Sequence, residues 1–416
     1  MACTIGGMAE KNLALRGRLV MSDGIIEDGV VLISGERIAW VGALADVASG
    51  APEWGDVVGM TPPTDDTLIP GLVDVHCHGG GGASFPNASS PEEAMTAVLE
   101  HRRHGTTSIV ASCVTADQEV LRARASLLAG LVERGEVAGI HFEGPFVSHE
   151  RKGAQDGEFI VDPDPDLTRD LLRAARGHTV TMTLAPEKPR AWGPGSVAEA
   201  LIEGGALPSW GHTDSGPAAT RSALEFSRSA LAGTDPAARR SPRATVTHLF
   251  NGMRPLHHRD PGPVAEFVSD AARGGAVVEM ICDGVHLDPS LVRDVYETVG
   301  RDNCVFVTDA MAAAGMPDGS YQLGPQAVTV AGGVARLTGG DSIAGGTAHL
   351  LDCVRVAVQR AGIPLVDAVH MASAQGASIV GDPRIGRLAP GCLADVVAVD
   401  DDLRPVGVWR RGTPVL

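Results

Sequence analysis

His76 and His78 stand one residue apart at the end of the apolar run LIPGLVDVH, and in extended chain alternate side chains share a face. Both imidazoles then project together while Cys77 points away, a spacing that lets two nitrogens meet one cation. Two loop histidines with no ligand role are the plain alternative. The same placement recurs downstream: Glu143 ends VAGIHFEG, His212 closes LPSWGHTD, His248 follows ATVT and Asp309 follows CVFVT. A carboxylate and two imidazoles form the three-ligand, open-position set typical of catalytic zinc, so Glu143, His212 and His248 are the candidate principal site. His76 and His78 would hold a second ion, with Glu143 bridging and Asp309 approaching. Zinc is the expected metal, with iron(II), cobalt(II) or manganese(II) as alternatives, at one or two ions per chain. Asp309 is the candidate acid/base, against the alternative that it caps a helix starting near Ala310. The chemistry so assembled is hydrolysis by water made nucleophilic at neutral pH.

Residues this far apart converge only if successive elements end at one face. From Leu68 onward short apolar runs alternate with amphipathic segments rich in Ala, Leu and Arg: LIPGLVDVH, TSIVASCV, VAGIHFEG, TVTMTLAPE, LPSWGHT, ATVTHLFN, AVVEMICDG and CVFVTDA. Strand and helix in alternation predict parallel βα units, and eight of them predict an α/β fold, a closed (β/α)8 TIM-like barrel with its site at the strand ends. The segment SPEEAMTAVLEHRRHG reads as one of the helices, with Ser90 as its cap and Gly105 past its end. Residues 12–66 are short and strand-like, and the tail from 381 to 416 returns to strands and turns. These two ends are expected to pair as a small β-sandwich domain beside a barrel spanning 67–380. Between Pro145 and Pro165 lies a long polar stretch expected to be a lid or binding loop. Residues 232–243 read as a solvated insertion, and SYQLGPQAVTVAGGVARLTGG as a hairpin excursion.

A chain of 416 residues, 44% of them hydrophobic, can bury a large core. Its 34 Lys and Arg against 51 Asp and Glu give a net charge of -17, which opposes a broad grip on nucleic acid or anionic lipid. An anionic substrate therefore needs a local basic pocket. The 7 cysteines are odd in number and contain no C-x-x-C pair, so they predict buried thiols in a reducing cytosol, not a disulfide frame or a zinc ribbon. The opening MACTIGGMAE has no signal-peptide pattern and reads as a frayed end, and no apolar stretch approaches a membrane span. A soluble cytoplasmic protein is expected.

LIPGLVDVHCHG, HFEGPF, KGAQ, LAPE, GHTDS, THLFNGM, RDPG, CDGVHLDP, VTDAM, SIAGGT and GRLAPGCLADVVAVD follow one another across nearly the whole chain. In this order they resemble the amidohydrolase superfamily and, within it, the N-acetylglucosamine-6-phosphate deacetylases. The resemblance implies hydrolysis of N-acetyl-D-glucosamine 6-phosphate to D-glucosamine 6-phosphate and acetate, in amino-sugar catabolism and cell-wall recycling. It implies Glu143, His212 and His248 as metal ligands and Asp309 as acid/base. Substrate contacts are implied for Ala154, Gln155, Asn251, Gly252, Arg259, Asp283, Gly284, Val285, His286, Ile343, Ala344 and Gly345, with Arg259 and His286 reading the phosphate. A homodimer follows, since in this family the arginine reaches its neighbour's site. Gln155 stands where relatives often carry His, and an amide can donate a hydrogen bond but carries no proton charge. Other amidohydrolases, acyl-amino-acid deacylases or cyclic-imide hydrolases, often use a carbamylated lysine after the fourth strand, and TVTMTLAPE contains none. A catalytically silent barrel would have lost a ligand or Asp309.

Overall fold

A computed structural model describes residues 12–416, so the readings placed on MACTIGGMAE, Cys3 among them, lie outside the described residues. Both ends of the described chain feed one seven-stranded sheet. In spatial order it runs Thr413–Pro414, Pro405–Arg410, Val396–Val399, Thr67–Pro70, Asn12–Met21, Gly24–Ser34 and Arg37–Ala43. The sheet curls, because Arg37 at one end forms an antiparallel bridge to Leu393, beside the strand Val396–Val399. Leu15, Leu19, Val31, Ile33 and Ile38 therefore share a core with Leu388, Ala394 and Val396, distinct from the main one.

The main core belongs to eight parallel strands, labelled here by barrel position: β1 Leu72–Cys77, β2 Thr106–Val114, β3 Gly139–Phe146, β4 Thr179–Leu184, β5 Leu207–Trp210, β6 Ala244–Val246, β7 Ala276–Met280 and β8 Cys304–Phe306. Each of the eight apolar runs supplies one. Neighbours in sequence are neighbours in space from β1 to β8. The circle shuts just beyond β8, where Ala310 bridges Cys77 in parallel and the Asp309 amide donates to the His76 carbonyl at 2.9 Å. Asp74 locks this seam, accepting from the Thr308 hydroxyl at 2.6 Å and the Thr308 amide at 3.3 Å. Burial pushes its carboxyl up to about 6, the hydrogen bonds opposing.

Strands enclosed on both faces must be apolar outward, toward the helices, while inward polar groups must find one another. The interior does so through a chain of contacts: His141 bonds Ser112 and Thr183, each at 2.9 Å, Thr183 bonds Thr247 at 2.8 Å, and Thr247 bonds Ser209 at 2.6 Å. The helix Pro91–Arg103 starts where Ser90 accepts from the Glu93 amide, and Gly105 turns the chain into β2 with a left-handed φ of 94°. The six described cysteines are free and buried. No helix among the described residues is long and apolar enough to cross a membrane.

Two excursions differ in part from expectation. After β8 the chain forms a three-stranded antiparallel meander, Gly319–Leu323, Gln326–Ala331 and Val334–Leu337, because Gly332 and Gly333 add a second tight turn. The segment 232–243 is mostly exposed, as expected, but also tethered: Arg240 donates to the Val380 carbonyl at 2.6 Å, and Arg243 donates to the Asn303 side chain at 2.6 Å.

Candidate metal centre

The strand ends of β1, β3, β5, β6 and β8 deliver His76, His78, Glu143, His212, His248 and Asp309 to one place. Glu143 sits at its middle. Its Oε1 lies 2.9 Å from Nε2 of His212 and 2.9 Å from Nε2 of His248, while its Oε2 lies 3.2 Å from Nε2 of His78. The two imidazole nitrogens of His212 and His248 are 3.1 Å apart. A tetrahedral ion bonded at 2.0–2.1 Å sets its ligands about 3.3 Å apart, so one cation fits this triangle with slight expansion. The second group is built alike: His76 and His78 Nε2 atoms are 3.1 Å apart, and Asp309 Oδ1 is 3.2 Å from His78 and 3.5 Å from His76. Each of these two triads can hold a metal ion.

Backbone geometry bears the cost of this convergence. His212, His248 and Asp309 adopt left-handed φ values of 44°, 26° and 47°, a region that strains residues with a Cβ by about 1–3 kcal/mol each and is concentrated at functional sites. Asp309 caps no helix, since turns follow it. Close approach of backbone finishes the pocket at His212: a Cβ on Gly252, whose φ is 60°, would lie 2.7 Å from the His212 Nδ1 atom. That nitrogen faces the Arg151 carbonyl at 2.7 Å, which places a proton there and leaves Nε2 as the atom that would meet a cation.

Electrostatics follow from crowding carboxylates and imidazoles away from water. Burial, the largest influence on Glu143, pushes its carboxyl up, but hydrogen bonds from His212, His248 and His78 hold it well below the usual range. Asp309 is lowered in the same manner, burial opposing and His76 and His78 prevailing. For His76 burial pulls down, yet Asp309, Glu279 and Glu143 together raise it to about 10, and His78 rises to about 8. A pocket whose carboxylates hold protons on its imidazoles is one in which a divalent cation can replace those protons.

Above the donors is a cavity of about 260 Å³ walled by His78, Glu143, His212, His248 and Asp309 and by Gly153, Ala154, Gln155, Asn251, Gly252, His286, Leu323, Ser342, Ile343 and Gly345. Gln155 is held by the Thr115 amide, which donates to its Oε1 at 2.8 Å, so its NH2 faces Glu143. Asp283 does not line this wall. Its carboxylate faces the His286 ring at 2.7 Å and accepts the amides of Val285 and His286. Burial opposes a charge on that ring, but Asp283 raises its pKa, and the ring forms part of the cavity wall. Gly284 and the half-exposed Val285 lie outside it, Ala344 turns into the apolar cluster under the meander, and Arg259 is exposed on a loop of this chain. Leu323, Ser342, Gly153 and Glu279 are additions to the expected set. Only Glu279 left a sequence signal, an acid inside the apolar run AVVEM. The first lysine past β4, Lys188, pairs with Asp162 at 3.5 Å and is absent from the site.

Comparison with known proteins agrees with this architecture. The amidohydrolase family model matches residues 67–415. The chain is 32% identical to the N-acetylglucosamine-6-phosphate deacetylase of Bacillus subtilis (strain 168), covering 97% of each. It is also 32% identical to the N-acetylgalactosamine-6-phosphate deacetylase of Escherichia coli O157:H7, over 85% of this chain and 89% of that one. Among solved structures, a mutant N-acetyl-D-glucosamine-6-phosphate deacetylase from Mycobacterium smegmatis in complex with N-acetyl-D-glucosamine-6-phosphate superposes with a TM-score of 0.84. That match has 36% identity and covers 98% of this chain and 100% of that one.

Proposed function

The chain belongs to the amidohydrolase family, and from that premise we propose that it is a cytoplasmic enzyme hydrolysing the acetamide of N-acetyl-D-glucosamine 6-phosphate. Acetate and D-glucosamine 6-phosphate leave, serving amino-sugar catabolism and cell-wall recycling. The observation that carries the reading is the convergence of Glu143, His212 and His248 beside Asp309 under a cavity that also presents the His286 imidazole, backed by the Asp283 carboxylate.

Glu143, His212 and His248 hold the principal divalent cation, zinc by donor type, and His76, His78 and Asp309 meet a second. When bound, such a cation polarises a carbonyl oxygen and makes water nucleophilic near neutral pH. Asp309, ionised and at the cavity floor, takes a proton from the attacking water and returns it to the amide nitrogen. Without that return an amine would have to leave as an anion. The Gln155 NH2, its orientation set by Thr115, donates toward the acetyl oxygen, a weaker aid than a charged imidazole. Asn251, Gly252, Ala154, Ile343 and Gly345 shape the sugar's wall.

His286 binds the phosphate, and Arg259 completes that contact in a neighbouring subunit of a homodimer. Exposure of Arg259 in its own chain fits such a role. Charge-assisted bonds of about 1.5–3 kcal/mol imply that Arg259→Ala raises KM for the phosphorylated sugar roughly ten- to a hundredfold, with little change for unphosphorylated N-acetylglucosamine. Equal losses on both substrates would refute the phosphate role. Mixing Arg259→Ala with Asp309→Asn subunits should recover activity through hybrid sites that carry neither defect.

His76→Asn combined with His78→Asn should lower bound metal from two equivalents toward one, leaving the Glu143 ion in place. One equivalent in fully active wild type would reject the two-ion arrangement. The whole reading is tested by acetate release from the 6-phosphates of N-acetylated glucosamine, galactosamine and mannosamine, beside unphosphorylated sugar. The gluco compound should have the highest kcat/KM. A preference for the galacto epimer would place the chain with its E. coli relative instead, and no release from any phosphosugar would overturn the proposal.

A further inference from the structure

The four candidate histidine ligands are not backed alike. His212 sends its second ring nitrogen to a neutral carbonyl, that of Arg151 at 2.7 Å. His78 and His248 have buried Nδ1 atoms with no hydrogen-bond partner among the described residues. His76 alone meets a carboxylate: its Nδ1 lies 3.0 Å from Oε2 of Glu279, with both side chains almost wholly buried. Glu279 comes from β7, which supplies no candidate ligand, so its charge is not spent on an ion directly. The same oxygen accepts the His248 amide at 3.2 Å, and the Glu279 carbonyl accepts the Leu249 amide at 2.8 Å. These bonds fix the carboxylate at the barrel's interior edge. His141 packs edge-on against the other side of the ring, with centroids 4.4 Å apart, and is itself held by Ser112 and Thr183. The His76 ring is therefore clamped in position with Nδ1–H directed at Glu279 and Nε2 directed at His78 and Asp309.

We infer that Glu279 is a positioning residue that makes His76 a strong ligand and thereby secures the second divalent cation in this chain. A carboxylate accepting the remote N–H of a ligating imidazole fixes its tautomer and raises its basicity, and such partners typically carry 10- to 100-fold in metal affinity. The second triad needs that help more than the first. Glu143 is shared with His212 and His248, and Asp309 must remain free to exchange protons, so His76 and His78 carry most of the binding. The inference rests on the two-ion reading above.

The test is titration of metal-free full-length protein with cobalt(II) alone, following stoichiometry by equilibrium dialysis and the visible ligand-field bands. Wild type should take two ions. Glu279→Gln, which keeps the volume and an oxygen for the His248 amide, should bind the second ion about 10–100-fold more weakly. The first ion's affinity and the metal-free melting temperature should stay close to wild type. Glu279→Ala should weaken the second ion further. An unchanged second-ion affinity in Glu279→Gln would overturn the inference, as would equal weakening of both ions, the mark of a general structural defect. A single ion in wild type would overturn the two-ion reading and this inference together, while leaving the deacetylase assignment to the acetate assay.

Discussion

Asp309→Asn should keep fold and metal content yet lower kcat by about 10²–10⁴-fold, the usual worth of a positioned proton-transfer group. The substitution is nearly isosteric, and Asn tolerates the left-handed φ of 47° at this position at least as well as Asp. The side-chain oxygen can stay near its place, 3.2 Å from His78 and 3.5 Å from His76. What disappears is basicity. An amide neither accepts the proton of attacking water nor delivers one to the leaving nitrogen, so both halves of the reaction slow while substrate still binds. KM should therefore change far less than kcat. Metal analysis and steady-state kinetics on the same preparation decide it. Near-normal kcat would remove Asp309 from its role, and a loss of metal parallel to the loss of rate would make it chiefly a ligand.

How much of this was legible in the sequence depended on whether the signal was local. All eight apolar runs form barrel strands, because a strand buried on both faces must be apolar through its length and stop where a polar residue meets the mouth. The ligand candidates end these runs, so their convergence could be anticipated without contacts. Glu279 could not be assigned this way. It meets His76 across 203 positions of sequence, and only closure of the barrel through β8 brings the interior faces of β7 and β1 within reach of each other. Asp74 is similar: it shares the inward face of His76 by alternation, but its partner Thr308 lies 234 positions away. Side-chain direction was also hidden in the irregular loops. SIAGG turns Ile343 and Gly345 to the cavity but Ala344 into apolar packing, and DGVH directs Asp283 at its own histidine. The segment 232–243 is largely solvated, as its composition suggests, but its anchors, Arg240 and Arg243, bond to carbonyl and amide oxygens far along the chain that composition does not reveal.

Removing the shared carboxylate should have an effect larger still. In Glu143→Ala the principal triad falls from three protein ligands to two, below what a tightly held catalytic zinc requires. The second cluster loses the oxygen 3.2 Å from His78 as well. Between His212 and His248 no other described carboxylate replaces it. Gln155 offers Glu143 its NH2 while its oxygen is engaged by the Thr115 amide, so swinging the amide round would sacrifice that bond. The imidazole pairs, each 3.1 Å apart between Nε2 atoms, would face one another with less negative charge between them. Bound metal should consequently fall by the principal equivalent after dialysis, leaving at most the ion held by His76 and His78, and acetate release should drop to background. Glu143→Gln separates charge from shape: it keeps one neutral oxygen between His212 and His248 and should retain metal only when the ion is in large excess. His248→Ala should resemble Glu143→Ala at the principal site while leaving His76 and His78 able to bind. Retention of both equivalents of tightly bound metal in Glu143→Ala would show that the principal ion is held elsewhere and would reject the ligand set from which the hydrolytic reading is built.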